Sequence, residues 1–230
     1  MKDLIIDDLN SFVGTGNIGF NKKILQIVPF GYGENDVLVG ISSPNLRKIA
    51  RKYYKCIDID TITYFLHSNI HEYRLFALMV MVLYYKFDNK LIFDLYVNNM
   101  KYINNWDLVD ISCSHIIGNY LFNTLNDDDV LFFINNLYGS KNIWERRISI
   151  VSMHYFIKKA RLSFVLDFFK GVINDSFHLN NKALGWMLRE VGKVDKIKLI
   201  NFLKTNEVSN ITFNYATEKL SMDEKSAINL

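Results

Sequence analysis

Residues Ile143 to Ser152 read IWERRISIVS, with the charges gathered near the start and an apolar run after them. Three other stretches have this character: His71 to Val80 (HEYRLFALMV), Asn104 to Cys113 (NNWDLVDISC) and Asn180 to Arg189 (NNKALGWMLR). With Ala77, Asp110, Ile150 and Trp186 as equivalent positions, the separations are 33, 40 and 36 residues, the period of two-helix HEAT-like repeats. Elsewhere apolar residues recur three and four apart, giving about a dozen helical segments divided by Asn, Asp, Ser and Gly. The expected fold is all-α: a curved solenoid of HEAT-like helical repeats in one domain over residues 1–230, with every second helix lining a concave groove.

Composition agrees with this expectation. Half of the 230 residues are hydrophobic and only two are proline, which supplies a core and few breakers for a many-stranded fold. Ser43 reads as an N-cap with Pro44 at the first helical position, and Asp127, Asp128 and Asp129 open a helix whose dipole they complement. Gly31-Tyr32-Gly33 reads as a loop, since no strand precedes it to make a nucleotide fingerprint. Cys56 and Cys113 stand far apart with no CxxC partner, so neither a disulfide framework nor a zinc knuckle is encoded. The acidic N-terminus does not suit a signal peptide, and the longest apolar run, Leu75 to Tyr85, is too short for a bilayer. A cytoplasmic protein is expected. The net charge of +3 does not identify a nucleic-acid binder without the positions of the charges.

Position by position, the repeat places unusual residues on one wall. Asp110 and Trp186 occupy equivalent sites, Trp106 lies one helical turn before Asp110, and Arg147 falls about a turn before Ile150. Taken alone, each has an ordinary reading. Asp110 fits a core polar residue, the tryptophans fit half-buried packing residues, and Arg146 and Arg147 after Glu145 fit ion pairs within a repeat. His67 and His71 have the i, i+4 spacing of metal ligands but lack a third ligand and the Glu-based motif, so no metal is expected. Cys113 reads as core.

Taken together, these residues resemble the AlkD-like DNA alkylation repair family of HEAT-like DNA glycosylases. The resemblance rests on Gly40 to Tyr54 (GISSPNLRKIARKYY), Asn105 to Asp110 (NWDLVD), Trp144 to Val151 (WERRISIV) and Lys182 to Lys193 (KALGWMLREVGK), in family order. It implies excision of cationic alkylpurines, N3-alkyladenine and N7-alkylguanine, from duplex DNA, with the damaged base left stacked. The catalytic aspartate falls on Asp110, the groove tryptophans on Trp106 and Trp186, and the phosphate-binding arginine on Arg147, with Arg146 as the alternative. The C-terminal end departs from the family's basic tip, reading Ser221-Met222-Asp223-Glu224.

A cationic purine leaves as a neutral molecule without a general acid, so one carboxylate beside the developing oxocarbenium ion suffices, and no cofactor is implied. Arg47, Lys48, Arg51, Lys52 and Lys55, five bases without an acid, form a stripe suited to phosphates or simply a solvated face. Lys158, Lys159 and Arg161, then Lys182, Arg189 and Lys193, would extend it. The expected partner is alkylated duplex DNA, met by a monomer. A non-catalytic nucleic-acid-binding array or a protein scaffold is the alternative, but the first needs no carboxylate and the second needs none of the four site residues.

Overall fold

Asparagine, aspartate and serine between the apolar segments act as helix starts. In a computed structural model, which describes residues 1–228, side chains of Asn17, Asp58, Asp88, Asn126, Asn142, Asp195, Ser209 and Ser221 each accept a backbone N–H of the helix that follows. Each satisfies a donor that the first turn leaves orphaned. The helices are therefore short and sharply started, and among the described residues no strand forms; one isolated bridge joins Val37 and Ile70. The fold is all-α.

The chain divides into two compact units, residues 1–112 and residues 113 onward. The first holds α1 (Lys2–Asn10), α2 (Ile18–Ile24), α3 (Ser43–Tyr53), α4 (Ile59–Leu66), α5 (His71–Tyr84), α6 (Asn89–Asn98) and most of α7 (Trp106–Cys113). Helix α5 is buried on all sides from His71 to Met81, packed by α3, α4 and α6. Its near-continuous apolar run thus belongs to a central helix, as an all-round hydrophobic helix must.

The second unit opens with a π-helical turn, Ser114–Gly118, and continues through α8 (Asn119–Thr124), α9 (Asp127–Tyr138), α10 (Ile143–Lys158), α11 (Leu162–Lys170), α12 (His178–Val194), α13 (Lys196–Thr205), α14 (Asn210–Ala216) and α15 (Met222–Ser226). Helices α10 and α12 form its centre, with α12 against α10, α13 and α14. Close approach needs glycine at two places. A Cβ on Gly118 would lie 2.2 Å from the Ser152 carbonyl oxygen, and one on Gly185 would lie 2.5 Å from Tyr215 Cβ.

Two sequence expectations are corrected. Helix α3 starts one residue early, with Ser42 as the N-cap and no side-chain cap bond, so Ser43 and Pro44 occupy its first turn; proline tolerates either place because neither donates within the helix. The repeat register also shifts. Ala77 and Ile150 are fully buried whereas Asp110 and Trp186 are half-exposed, so the four are not equivalent. The helices themselves, starting at His71, Trp106, Ile143 and His178, are spaced 35, 37 and 35 residues apart, and that even spacing is the repeat.

Candidate functional site

The start of α7 is bolted down before it presents any functional side chain. Asn105, fully buried, caps its own helix by accepting the Trp106 N–H at 2.9 Å and donates through Nδ2 to the Leu25 carbonyl at 3.0 Å. The Trp106 indole N–H donates to the Ile24 carbonyl at 3.3 Å. Two bonds therefore fix the helix to the end of α2, and the indole is oriented by its polar edge while its ring stays half-exposed.

From that anchored turn, Trp106, Asp107, Asp110 and Ile111 form one wall of an open cavity of about 410 Å³. Facing walls come from Ile24 and Leu25 at the end of α2, Arg47 on α3, and His71, Glu72, Leu75 and Met79 on α5. Two sequence-assigned catalytic residues and one assigned DNA-binding residue thus meet in the first unit. Arg47 itself is exposed. The Glu72 carboxylate accepts the Gly40 N–H at 2.8 Å and the Val39 N–H at 3.2 Å, which pins a glycine held at φ +79°.

Beneath the wall lies a buried charge network that sequence reading missed. His71, with 2 % of its side chain exposed, points Nδ1 at Asp36 and Nε2 at Asp107, each at 2.8 Å. Only the doubly protonated ring can donate to both carboxylates. Burial alone pulls the imidazole pKa down, but the Asp107 charge and the bonds to Asp107 and Asp36 outweigh it and push it up to about 9. Asp36 also receives Arg74, whose guanidinium reaches the Asn104 side chain at 3.0 Å and the Ser68 carbonyl at 2.9 Å. Burial would raise the Asp36 carboxyl, yet His71 and Arg74 hold it below the ordinary carboxylate value. His67 turns elsewhere, to Asn99 at 2.6 Å and onto the Tyr102 ring, so the two histidines do not pair as ligands. Among the described residues no group of three or more His, Cys, Asp or Glu is arranged for a metal ion.

The other two residues assigned to catalysis, Arg147 and Trp186, belong to the second unit, as does Arg146. Arg147 is buried, and its NH1 donates to the Leu179 carbonyl at 2.6 Å. Arg146 forks onto Asp175 at 2.9 and 3.4 Å and onto the Ser140 carbonyl at 3.1 Å. The half-buried Trp186 donates its indole N–H to Glu190 at 3.1 Å, and its ring lies 5.6 Å from that of His154. Burial, aided by Lys158, pulls the His154 pKa down to about 4, leaving an uncharged imidazole beside the indole at neutral pH.

The expected basic surface is uneven. Arg47, Lys48 and Arg51 are exposed on α3, with Lys48 also lying over the Phe12 ring at 5.5 Å. Lys52 pairs with Asp8 at 2.5 Å. In the second unit Lys182 lies 6.0 Å from the Tyr215 ring, Arg189 is ion-paired to Glu218, and Lys193 pairs with Glu190 at 2.7 Å. Lys158 and Lys159 are exposed, while Arg161 pairs with Asp127 at 2.7 Å.

No helix among the described residues is long and apolar enough to cross a membrane. No curated protein matches the chain. A solved structure described as a predicted DNA alkylation repair enzyme from Enterococcus faecalis superposes with a TM-score of 0.71 over 90 % of this chain and 97 % of that one, at 15 % identity. At that identity the likeness establishes a shared fold. The sequence pattern that defines DNA alkylation repair enzymes matches residues 9–220, nearly the whole length, and the chain belongs to that family.

Proposed function

We propose that the protein is a DNA glycosylase that excises cationic alkylpurines, N3-alkyladenine and N7-alkylguanine, from duplex DNA. The observation that carries this reading is the cavity where Asp110, Trp106 and Arg47 meet in a chain of the alkylation repair family. Asp110 supplies negative charge where the deoxyribose turns cationic as the glycosidic bond lengthens. At about 4 Å and an effective dielectric near 20, one such pair is worth about 4 kcal/mol, close to a thousandfold in rate. The bond's electron pair passes to the purine nitrogen, which leaves neutral, and water adds to the sugar carbon. No protonation of the base is required.

Trp106 offers the face of an oriented indole to the same cation, and Trp186 has the same assignment in the second unit. Arg147 is assigned a phosphate flanking the lesion, which its planar fork suits. Arg47, Lys48, Arg51 and Lys182 are assigned to the duplex backbone. The protein acts as a cytoplasmic monomer on HEAT-like repeats, with no cofactor or metal, because the leaving group already carries its charge.

The test is release of free N7-methylguanine from a methylated duplex under single-turnover conditions. The wild type releases the base, and Asp110→Asn slows release by about a thousandfold with duplex binding retained. No release by the wild type would refute the enzyme assignment, and an unimpaired Asp110→Asn would remove that residue from the mechanism.

A further inference from the structure

Asp107 is a second carboxylate on the cavity wall, three residues before Asp110 on α7, a spacing that puts both on neighbouring parts of one helix face. Unlike an ordinary surface side chain, it is immobilised. Its Oδ1 accepts the Leu108 N–H at 2.9 Å, its Oδ2 accepts His71 Nε2 at 2.8 Å, and 19 % of the side chain stays exposed. A carboxylate has about four acceptor sites, so these two bonds leave capacity on the edge that lines the cavity. Behind it, His71 is fixed by Asp36, and Asp36 by Arg74. With His71 protonated, two cations balance two anions, and Asp107 is held without adding net charge to the cavity, a preorganised arrangement.

We propose that Asp107 is a second catalytic group of this reaction, the carboxylate that anchors the attacking water, with His71 as its positioning residue. The inference rests on the glycosylase reading given above. Asp110 then serves the sugar cation while Asp107 accepts a hydrogen bond from the water. As the glycosidic bond breaks, its electron pair goes to the cationic purine, which leaves neutral. The water oxygen bonds the sugar carbon, and the surplus proton passes to Asp107 and then to solvent at the cavity mouth. Protonated hydroxyl on the sugar carbon is acidic enough for a weakly basic carboxylate to take its proton.

The charged groups around His71 are Asp36 from the loop before α3, Glu72 and Arg74 on α5, Asp107 and Asp110 on α7, and Arg47 on α3. Because the imidazole pKa stands at about 9, its clamp on Asp107 is intact at neutral pH and is lost as pH rises through that value. With enzyme in excess over a methylated duplex, Asp107→Asn is expected to melt below the wild type, because the buried imidazolium loses a partner, yet to be folded at the assay temperature and bind undamaged duplex equally, while releasing N7-methylguanine about a hundredfold more slowly. The wild-type rate is expected to fall through about pH 9, and His71→Gln, already slow at neutral pH, lacks this limb. A melting curve at pH 9.5 separates loss of rate from loss of fold. If Asp107→Asn stays within twofold of the wild type, or the wild-type rate is level through pH 9.5, the Asp107 assignment is overturned and the glycosylase reading stands. If the wild type releases no base, both fall. Should Asp107→Asn fail to fold, the wild-type pH profile decides.

Discussion

Removing the charge on His71 tests the buried network without any substrate. The imidazole titrates at about 9 in the folded chain against an ordinary value of 6.5, and its side chain is 2 % exposed, so solvent screening is slight. That difference corresponds to about 3 kcal/mol of folding free energy. Because the folded value is the higher one, the contribution is fully present below pH 6.5, declines as pH rises, and is gone above about pH 9. Urea unfolding of the wild type across pH 6.5 to 9.5 is therefore expected to lose about 3 kcal/mol. The decisive quantity is the wild-type curve minus that of His71→Gln, which cancels the pH dependence of every other group. The mutant is the less stable protein at pH 6.5, and the two curves approach as pH rises. A constant difference across this window would mean that His71 is neutral in the fold, and the imidazolium between two carboxylates would be wrong. Direct titration of the ring by NMR reads the same protonation through a second observable.

Two further expectations separate cations held by the fold from cations available to DNA. Arg47→Ala is expected to reduce the salt dependence of duplex binding by about one phosphate contact, whereas Arg189→Ala, paired with Glu218, leaves that slope unchanged; equal slopes for all three proteins in a binding series from low to physiological salt would remove Arg47 from the interface. Arg146→Ala strands the buried Asp175 carboxylate and is expected to cost about 3 kcal/mol in urea unfolding with the salt slope untouched, so a stable variant with weakened DNA binding would assign Arg146 to phosphate instead.

Much of the fold was legible because helix signals are local. Asn126, Asn142, Asp88 and Asp195 announce helix starts through the side chains that cap them, and the α5 run from Leu75 onward reads as a buried centre. Register was less legible, since Ala77 and Asp110 look alike to a search for the middle of an apolar stretch and differ only in what packs against them. The four-residue spacing of Trp106 and Asp110 put both on one helix face, and both line the cavity. The anchoring of Trp106 to Ile24, and the ion pairs that occupy Lys52 and Arg189, were not legible, because each partner lies 29 to 82 residues away and no local pattern marks it.

The buried network did leave one trace, and the trace bears on the paired arginines after Glu145. Asp36, His71 and Asp107 are 35 and 36 residues apart, the spacing at which the inner helices start, so charges one repeat apart were candidates to meet. The arginines follow the same rule. Arg74 binds the Ser68 carbonyl six residues back and the Asn104 side chain 30 ahead, and Arg146 binds the Ser140 carbonyl six residues back and Asp175 29 ahead. Each ties the loop before its own helix to the opening of the next repeat, so Arg74 and Arg146 are structural counterparts in the two units. The residue after Arg74 is Leu75, which lines the cavity of the first unit, and the residue after Arg146 is Arg147. The clamp thus accounts for Arg146 from the architecture of the repeat alone, while Arg147, where the other unit carries leucine, is buried and donates to the Leu179 carbonyl. This is the physical ground for giving Arg146 the scaffold role, which leaves Arg147 as the arginine of the pair proposed for the phosphate.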